Sequence, residues 1–215
     1  MAVSRCPTGT RARKGAAAAS ALGVVALLVL ALSPAPAGAW VLTLTPGPKQ
    51  LFLMVGVGTA GSNNTTINVV SLTVPAASLG NGSALAMTSD STQSASPYDG
   101  YAVCNPPNDV YVGASYRQPN ATTGPASATL QVSTPANLTS GTDTIPFTQI
   151  RWTSSANGNP TADLPAGTFN GGTLSLANIG RNTLVENCFA YSYANSVVPP
   201  AGTYTGRAVF TLVSP

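Results

Sequence analysis

From Thr203 the chain alternates at every second place. Tyr204, Gly206, Ala208, Phe210 and Leu212 fall on one side; Thr203, Thr205, Arg207, Val209, Thr211 and Val213 fall on the other. A period of two is the pattern of a strand with one buried face, and a helix with a period of 3.6 would scatter those side chains around its axis. The preceding run, Leu184 to Asn195, places Phe189, Tyr191 and Tyr193 on one face in the same way. The expectation is a final pair of strands that gives the sheet its longest apolar face, which the rest of the chain must cover. Gly206, inside a strand, predicts the close approach of an aromatic ring, with Trp152 as the candidate.

Helix signals are nearly absent elsewhere. Gly, Pro, Ser, Thr and Asn interrupt every apolar run, and few charges stand at helical spacing. Strands are predicted over 40–45, 50–57, 65–74, 101–104, 109–116, 126–133, 144–153 and 173–177, with a short one near 84–87. Pro146 predicts an edge or a bulge within the 144–153 run. Arg151 and Arg207 are read as solvent-facing charges that discourage edge pairing. Short strands with turns rich in Gly and Pro define an all-β class, a sandwich or a barrel. An outer-membrane barrel needs lipid-facing strands of about ten residues with aromatic girdles. The strands here are shorter and the aromatics sparser, which favours the sandwich.

The first 39 residues carry a different pattern. Arg5, Arg11, Arg13 and Lys14 precede an apolar stretch from Gly15 to Leu32, and Ala37-Gly-Ala39 follows a Pro-rich exit. This reads as a secretory signal peptide over 1–39, leaving a single domain over 40–215. An uncleaved membrane anchor is the alternative reading of the same stretch. Removal of the leader leaves five cations against six acids, a net charge of −1, so no basic surface is offered to nucleic acid or anionic lipid. The longest remaining apolar run, Leu51 to Val57, is too short to span a bilayer, so no stable membrane insertion is expected after the leader is removed. Two cysteines remain, Cys104 and Cys188. In an oxidising compartment they are expected to form one disulfide closing about 84 residues, worth roughly 3–5 kcal/mol in the chain-entropy picture.

The chain has no histidine. Ser-His-Asp and Cys-His catalysis are therefore excluded, as are His-bearing metal sites. Paired carboxylates remain, Asp90 with Asp99 or Asp109 with Glu186, but scattered acids in turn-rich chains usually bond their own backbone. The expectation is a protein that is not an enzyme and needs no cofactor. Asp90, Asp99 and Asp109 stand in the most oxygen-rich segment and are the calcium candidates, without an EF-hand spacing. Tyr98, Tyr101, Tyr111 and Tyr116 fall in the same region. They are candidates for stacking on a sugar or a partner, with half of them expected in the core.

Phe189-Ala-Tyr-Ser-Tyr-Ala-Asn195, followed by Pro200-Ala-Gly-Thr-Tyr-Thr-Gly206 and an alternating strand, resembles the secreted spore coat protein U and archaic chaperone–usher pilin group. The resemblance covers about a third of the chain beyond the leader. It implies an immunoglobulin-like sandwich lacking one strand, with the gap filled by the N-terminal extension of another subunit. It also implies other copies or related subunits as partners, a periplasmic chaperone, and a periplasmic or cell-surface location in a bacterium. Trp40, Leu42 and Leu44 would be the donated side chains, Pro46-Gly-Pro48 the hinge, and Tyr204, Phe210 and Leu212 the accepting face. The alternative is that residues 40–45 pair within their own sheet. Two features depart from the group's pattern: the extension is short, and the cysteines are not both near the N-terminus. The competing reading of function is a monomeric module that binds carbohydrate or a cell surface through the Tyr98–Tyr116 region.

Overall fold

The chain was analysed as a computed structural model, which describes residues 42–59, 67–119, 124–155 and 162–215. The expected signal peptide, Trp40, and the beginning of the expected 65–74 strand lie outside them. Among the described residues the strands are β1 (Leu42–Thr43), β2 (Gln50–Val55), β3 (Val70–Ser71), β4 (Leu85–Ala86), β5 (Thr88–Ser89), β6 (Asp109–Arg117), β7 (Ser127–Ser133), β8 (Asn137–Ser140), β9 (Asp143–Pro146), β10 (Ile150–Ser155), β11 (Gly167–Thr168), β12 (Thr173–Gly180), β13 (Thr183–Tyr193) and β14 (Val209–Val213). The only helical pieces among them are two single 3-10 turns, Ala76–Ser78 and Phe147–Gln149.

The eleven-residue β13 is the centre of the larger sheet, whose order is β11-β10-β13-β6-β2. β1 and β6 both pair with Thr183 and Leu184, so they occupy opposite edges of β13. β10 and β4 both pair with Ser192 and Tyr193 and likewise lie on opposite edges. The smaller sheet runs β12-β7-β14, with both ladders antiparallel. The β8–β9 hairpin joins the run leading into β14 at Thr139 and Thr205, whose backbones exchange bonds of 2.9 and 3.0 Å.

The two sheets face each other across one core. Val110, Val112, Ala114 and Tyr116 come from β6, Phe189, Tyr191 and Tyr193 from β13, and Ile150 and Trp152 from β10. Ala128, Leu130 and Val132 of β7 and Ile179 of β12 meet them from the other side. Trp152 stacks on Phe189 with centroids 5.5 Å apart, and Phe147 meets Phe169 edge-on at 5.2 Å. Such ring pairs each add about 0.5–1.5 kcal/mol beyond the area they bury. The all-β antiparallel sandwich read from the sequence is therefore the fold of the described chain.

Several local expectations are corrected. The last two strands do not pair with each other: β13 belongs to the larger sheet and β14 to the smaller one. Both present apolar alternation, and alternation alone cannot say which strand lies beside which. Among its described residues the 65–74 run keeps two ladder residues, Val70 and Ser71, beside the two-residue β5, and Ile67 and Val69 are about 60% exposed. Residues 101–104 form a single bridge at Ala102 instead of a strand. The 144–153 run breaks at Pro146, where a 3-10 turn separates β9 from β10. Gly206 does accommodate an aromatic ring, but it is Phe147: a Cβ at Gly206 would lie 2.7 Å from that ring. Arg151 and Arg207 face solvent as expected.

Candidate functional site

The first candidate region is an open side of the sandwich. β14 is an outer strand of the smaller sheet and β2 an outer strand of the larger one, and the two approach each other. Among the described residues β14 pairs only with β7, and β2 only with β6. No strand lies between them there, and Leu53, Val55, Phe210 and Leu212 remain half-buried against the core. Phe210 points inward, its ring 6.3 Å from that of Phe189. Val209 and Val213 turn outward, 49% and 45% exposed. The accepting residues named from the sequence are thus placed together on the inward side: Phe210 and Leu212 pack against the core, and half-buried Tyr204 packs nearby, its hydroxyl donating to the Pro200 carbonyl at 2.9 Å.

The candidate donor segment lies elsewhere. Leu42 and Thr43 pair with β13, and the Leu44 amide donates to Asn182 O at 2.7 Å. This is the pairing within its own sheet that the sequence left as the alternative. Among the described residues 42–45 the hold is small, however: two ladder residues, that one bond, and the Arg117 guanidinium on Thr45 O at 2.8 Å.

The second region is the outer face of the larger sheet, away from the main core. Alternation sends Gln50, Phe52 and Met54 of β2 to that face, with Tyr111, Gly113, Ser115 and Arg117 of β6 and Glu186 and Cys188 of β13. The segment 91–105 lies over it, joined to β13 by the Cys104–Cys188 disulfide with Cα atoms 5.5 Å apart. A second small core of Met54, Cys104, Tyr111 and Cys188 results. Tyr111 folds back over Gly113, where a Cβ would lie 2.2 Å from the phenol oxygen, so only glycine fits there. Its hydroxyl donates to Glu186 Oε1 at 2.6 Å. Burial, and then the Glu186 carboxylate that accepts this proton, push the Tyr111 phenol far up, so it stays a donor.

The four tyrosines of the sequence reading divide evenly. Tyr111 and Tyr116 are fully buried, which removes them from any surface-binding set. Tyr98 and Tyr101 are 41% and 65% exposed. Tyr98 is held edge-on to Phe52 at 5.1 Å, and it borders a cleft of about 250 Å³ with Leu44, Thr45, Gln50, Ser115 and Arg117. Burial raises the Tyr98 pKa, the hydrogen bond to Ser115 opposes this, and the Glu186 charge adds to the rise.

The calcium candidates are not assembled into one site. Asp90 accepts from the Asn68 side chain and the Val69 amide, both at 2.9 Å, and these two bonds hold its carboxyl below the usual range. Asp99 accepts from the Tyr101 amide and Asp109 from the Asn105 amide, each within its own turn. Among the described residues no cluster of three acids or cysteines could hold a metal ion. The sequence reading missed Gln50, Ser115 and Arg117. Their grouping depends on the β2–β6 register, Gln50 opposite Arg117 and Phe52 opposite Ser115, which no local signal specifies.

Fold and site together define a class: a disulfide-bonded, antiparallel β-sandwich with an open edge and a covered outer face. No protein family, curated protein or solved structure matches the chain. Among the described residues no helix is long and apolar enough to cross a membrane. The disulfide is compatible with an extracytoplasmic location.

Proposed function

We propose that the chain is an exported structural subunit, pilin-like or coat-like, that acts at a bacterial cell surface by contact with other copies or related subunits. A single observation carries this reading: β14 and β2 approach each other with no strand between them among the described residues, leaving Phe210, Leu212, Leu53 and Val55 half-buried. An added strand would complete the ladder on β14 and cover those side chains. Residues 40–45 of another copy are the proposed donor, delivered after removal of the leader over 1–39. A backbone hydrogen bond contributes a net of about 0.5–1.5 kcal/mol. The few bonds that hold the segment beside β13 are therefore exchangeable for a longer ladder on β14. A periplasmic chaperone occupying the same edge before assembly belongs to this proposal.

The test is the oligomeric state of the exported protein, measured by size exclusion with light scattering across a concentration series. Higher species that disappear when residues 40–45 are deleted are expected. A monomer at every concentration, indifferent to that deletion, would remove the proposal.

A further inference from the structure

The cleft on the outer face places Tyr98, Gln50 and Arg117, which strand addition does not use, beside Leu44 and Thr45. Arg117 spends its Nε–H on Thr45 O, which fixes the guanidinium plane and leaves the two terminal nitrogens of the fork for another acceptor. No carboxylate pairs with Arg117 among the described residues, so its charge is uncompensated by the chain at short range. Across the cleft stands Tyr98, exposed over about two-fifths of its surface and kept in place by Phe52. Gln50 adds an amide to the lining, while the buried Ser115 hydroxyl is bonded to Tyr98 and helps to hold that ring. A fixed aromatic ring, a planar cation and a neutral amide form a donor set suited to a sugar carrying an acid.

We propose that this cleft binds a single carboxylate-bearing sugar residue, with Arg117 holding the carboxylate and the Tyr98 ring lying against the sugar. At about 250 Å³ the cleft has room for one sugar residue. Among the described residues Arg117 is the one charged residue lining the cleft, which matches the single charge of a carboxylate better than the double charge of a phosphate. The cleft needs Leu44 and Thr45 beside β13, so the inference holds for the chain whose residues 40–45 have not been exchanged onto another copy.

The test is a titration of the exported, disulfide-intact protein, followed by amide chemical shifts, with glucuronic acid, glucose, acetate and inorganic phosphate. Glucuronic acid is expected to shift the amides around residues 44–50 and 115–117 with a dissociation constant of about 1 mM. Glucose and phosphate should bind at least about tenfold more weakly, and acetate between them and the uronate. Arg117→Gln and Tyr98→Ala should each weaken binding by about tenfold, corresponding to about 1.4 kcal/mol. Arg117→Lys keeps the charge without the fork and should lose less. It also covers the case in which Arg117→Gln disturbs the Thr45 contact and the fold. Equal binding of glucose, tighter binding of phosphate, no shifts with glucuronic acid, or uronate binding unchanged in both Arg117 variants would each overturn the proposal.

Discussion

β12 and β14 flank the same strand, β7, yet they leave the sheet with two different edges. β12 is eight residues long, and its ladder slips between Ser175 and Ala177, so the edge is bent by a bulge. Its exposed residues are polar, Thr173, Ser175 and Asn178, and two of them bond across to β7: Thr129 Oγ1 to Asn178 at 3.0 Å and Thr173 Oγ1 to Ser133 at 3.3 Å. Leu176 and Ile179 are buried beneath. β14 opposes the same Ser133 and Thr129 with Val209 and Val213, in unbroken register, and its inward Phe210 and Leu212 stay half-buried. A shared partner strand therefore does not determine how an edge is protected. A bulge and polar outward residues blunt β12, whereas β14 carries no bulge, charge or proline within the strand, and Thr211 is the one polar residue on its outward face.

The contrast predicts unequal costs for the same kind of change. Ile179→Ala should lower stability by about 2–5 kcal/mol, as expected for a fully buried side chain, whereas Leu212→Ala should cost about 1–2 kcal/mol in the monomer. Urea unfolding measures both, and equal losses would mean that β14 is as well covered as β12. Adding a peptide of residues 40–45 at a hundredfold excess over its dissociation constant should raise the unfolding free energy by up to about 2.7 kcal/mol. The gain should vanish when β14 carries Val209→Lys and Val213→Lys. That double change should also weaken self-association at least about tenfold, near 1.4 kcal/mol, with little change in the monomer's own melting temperature. Lysines at Thr173 and Ser175 of β12 should alter assembly least, by less than about 0.5 kcal/mol, the usual range for surface substitutions. Loss of assembly from the β12 pair alone would reverse the assignment of the two edges.

Much of this contrast is written locally. The alternation from Tyr204 to Leu212 gives the two faces of the last strand, and the triplet Phe189, Tyr191 and Tyr193 gives the inward side of β13. Cys104 and Cys188 pair as a lone pair of cysteines should. Pro146 was expected to mark an edge or a bulge, and the strand ends there in a 3-10 turn instead. What stays hidden is pairing. That β14 sits beside β7 and not β13, and that Phe147 and not Trp152 fills the space over Gly206, follows from register between segments tens of residues apart. The cleft shares that difficulty, since Tyr98, Gln50 and Arg117 come from three separate segments. The burial of Tyr111 was illegible for a related reason. Its neighbours suggest a strand with one wet face, and only the disulfide-tied segment 91–105 makes that face dry.

One consequence follows from β13 having four neighbours, drawn from residues as early as Leu42 and as late as Ser155. During synthesis or threading through a membrane, β1, β4 and β10 all emerge before the strand they pair with. Until residues 183–193 arrive, only the β2–β6 and β10–β11 contacts of that sheet can close. The strands of the larger sheet must therefore wait for one late segment, while the β3–β5, β8–β9 and β7–β12 pairings can close before it. Until then the open edges of β1, β4, β6 and β10 are exposed to premature association.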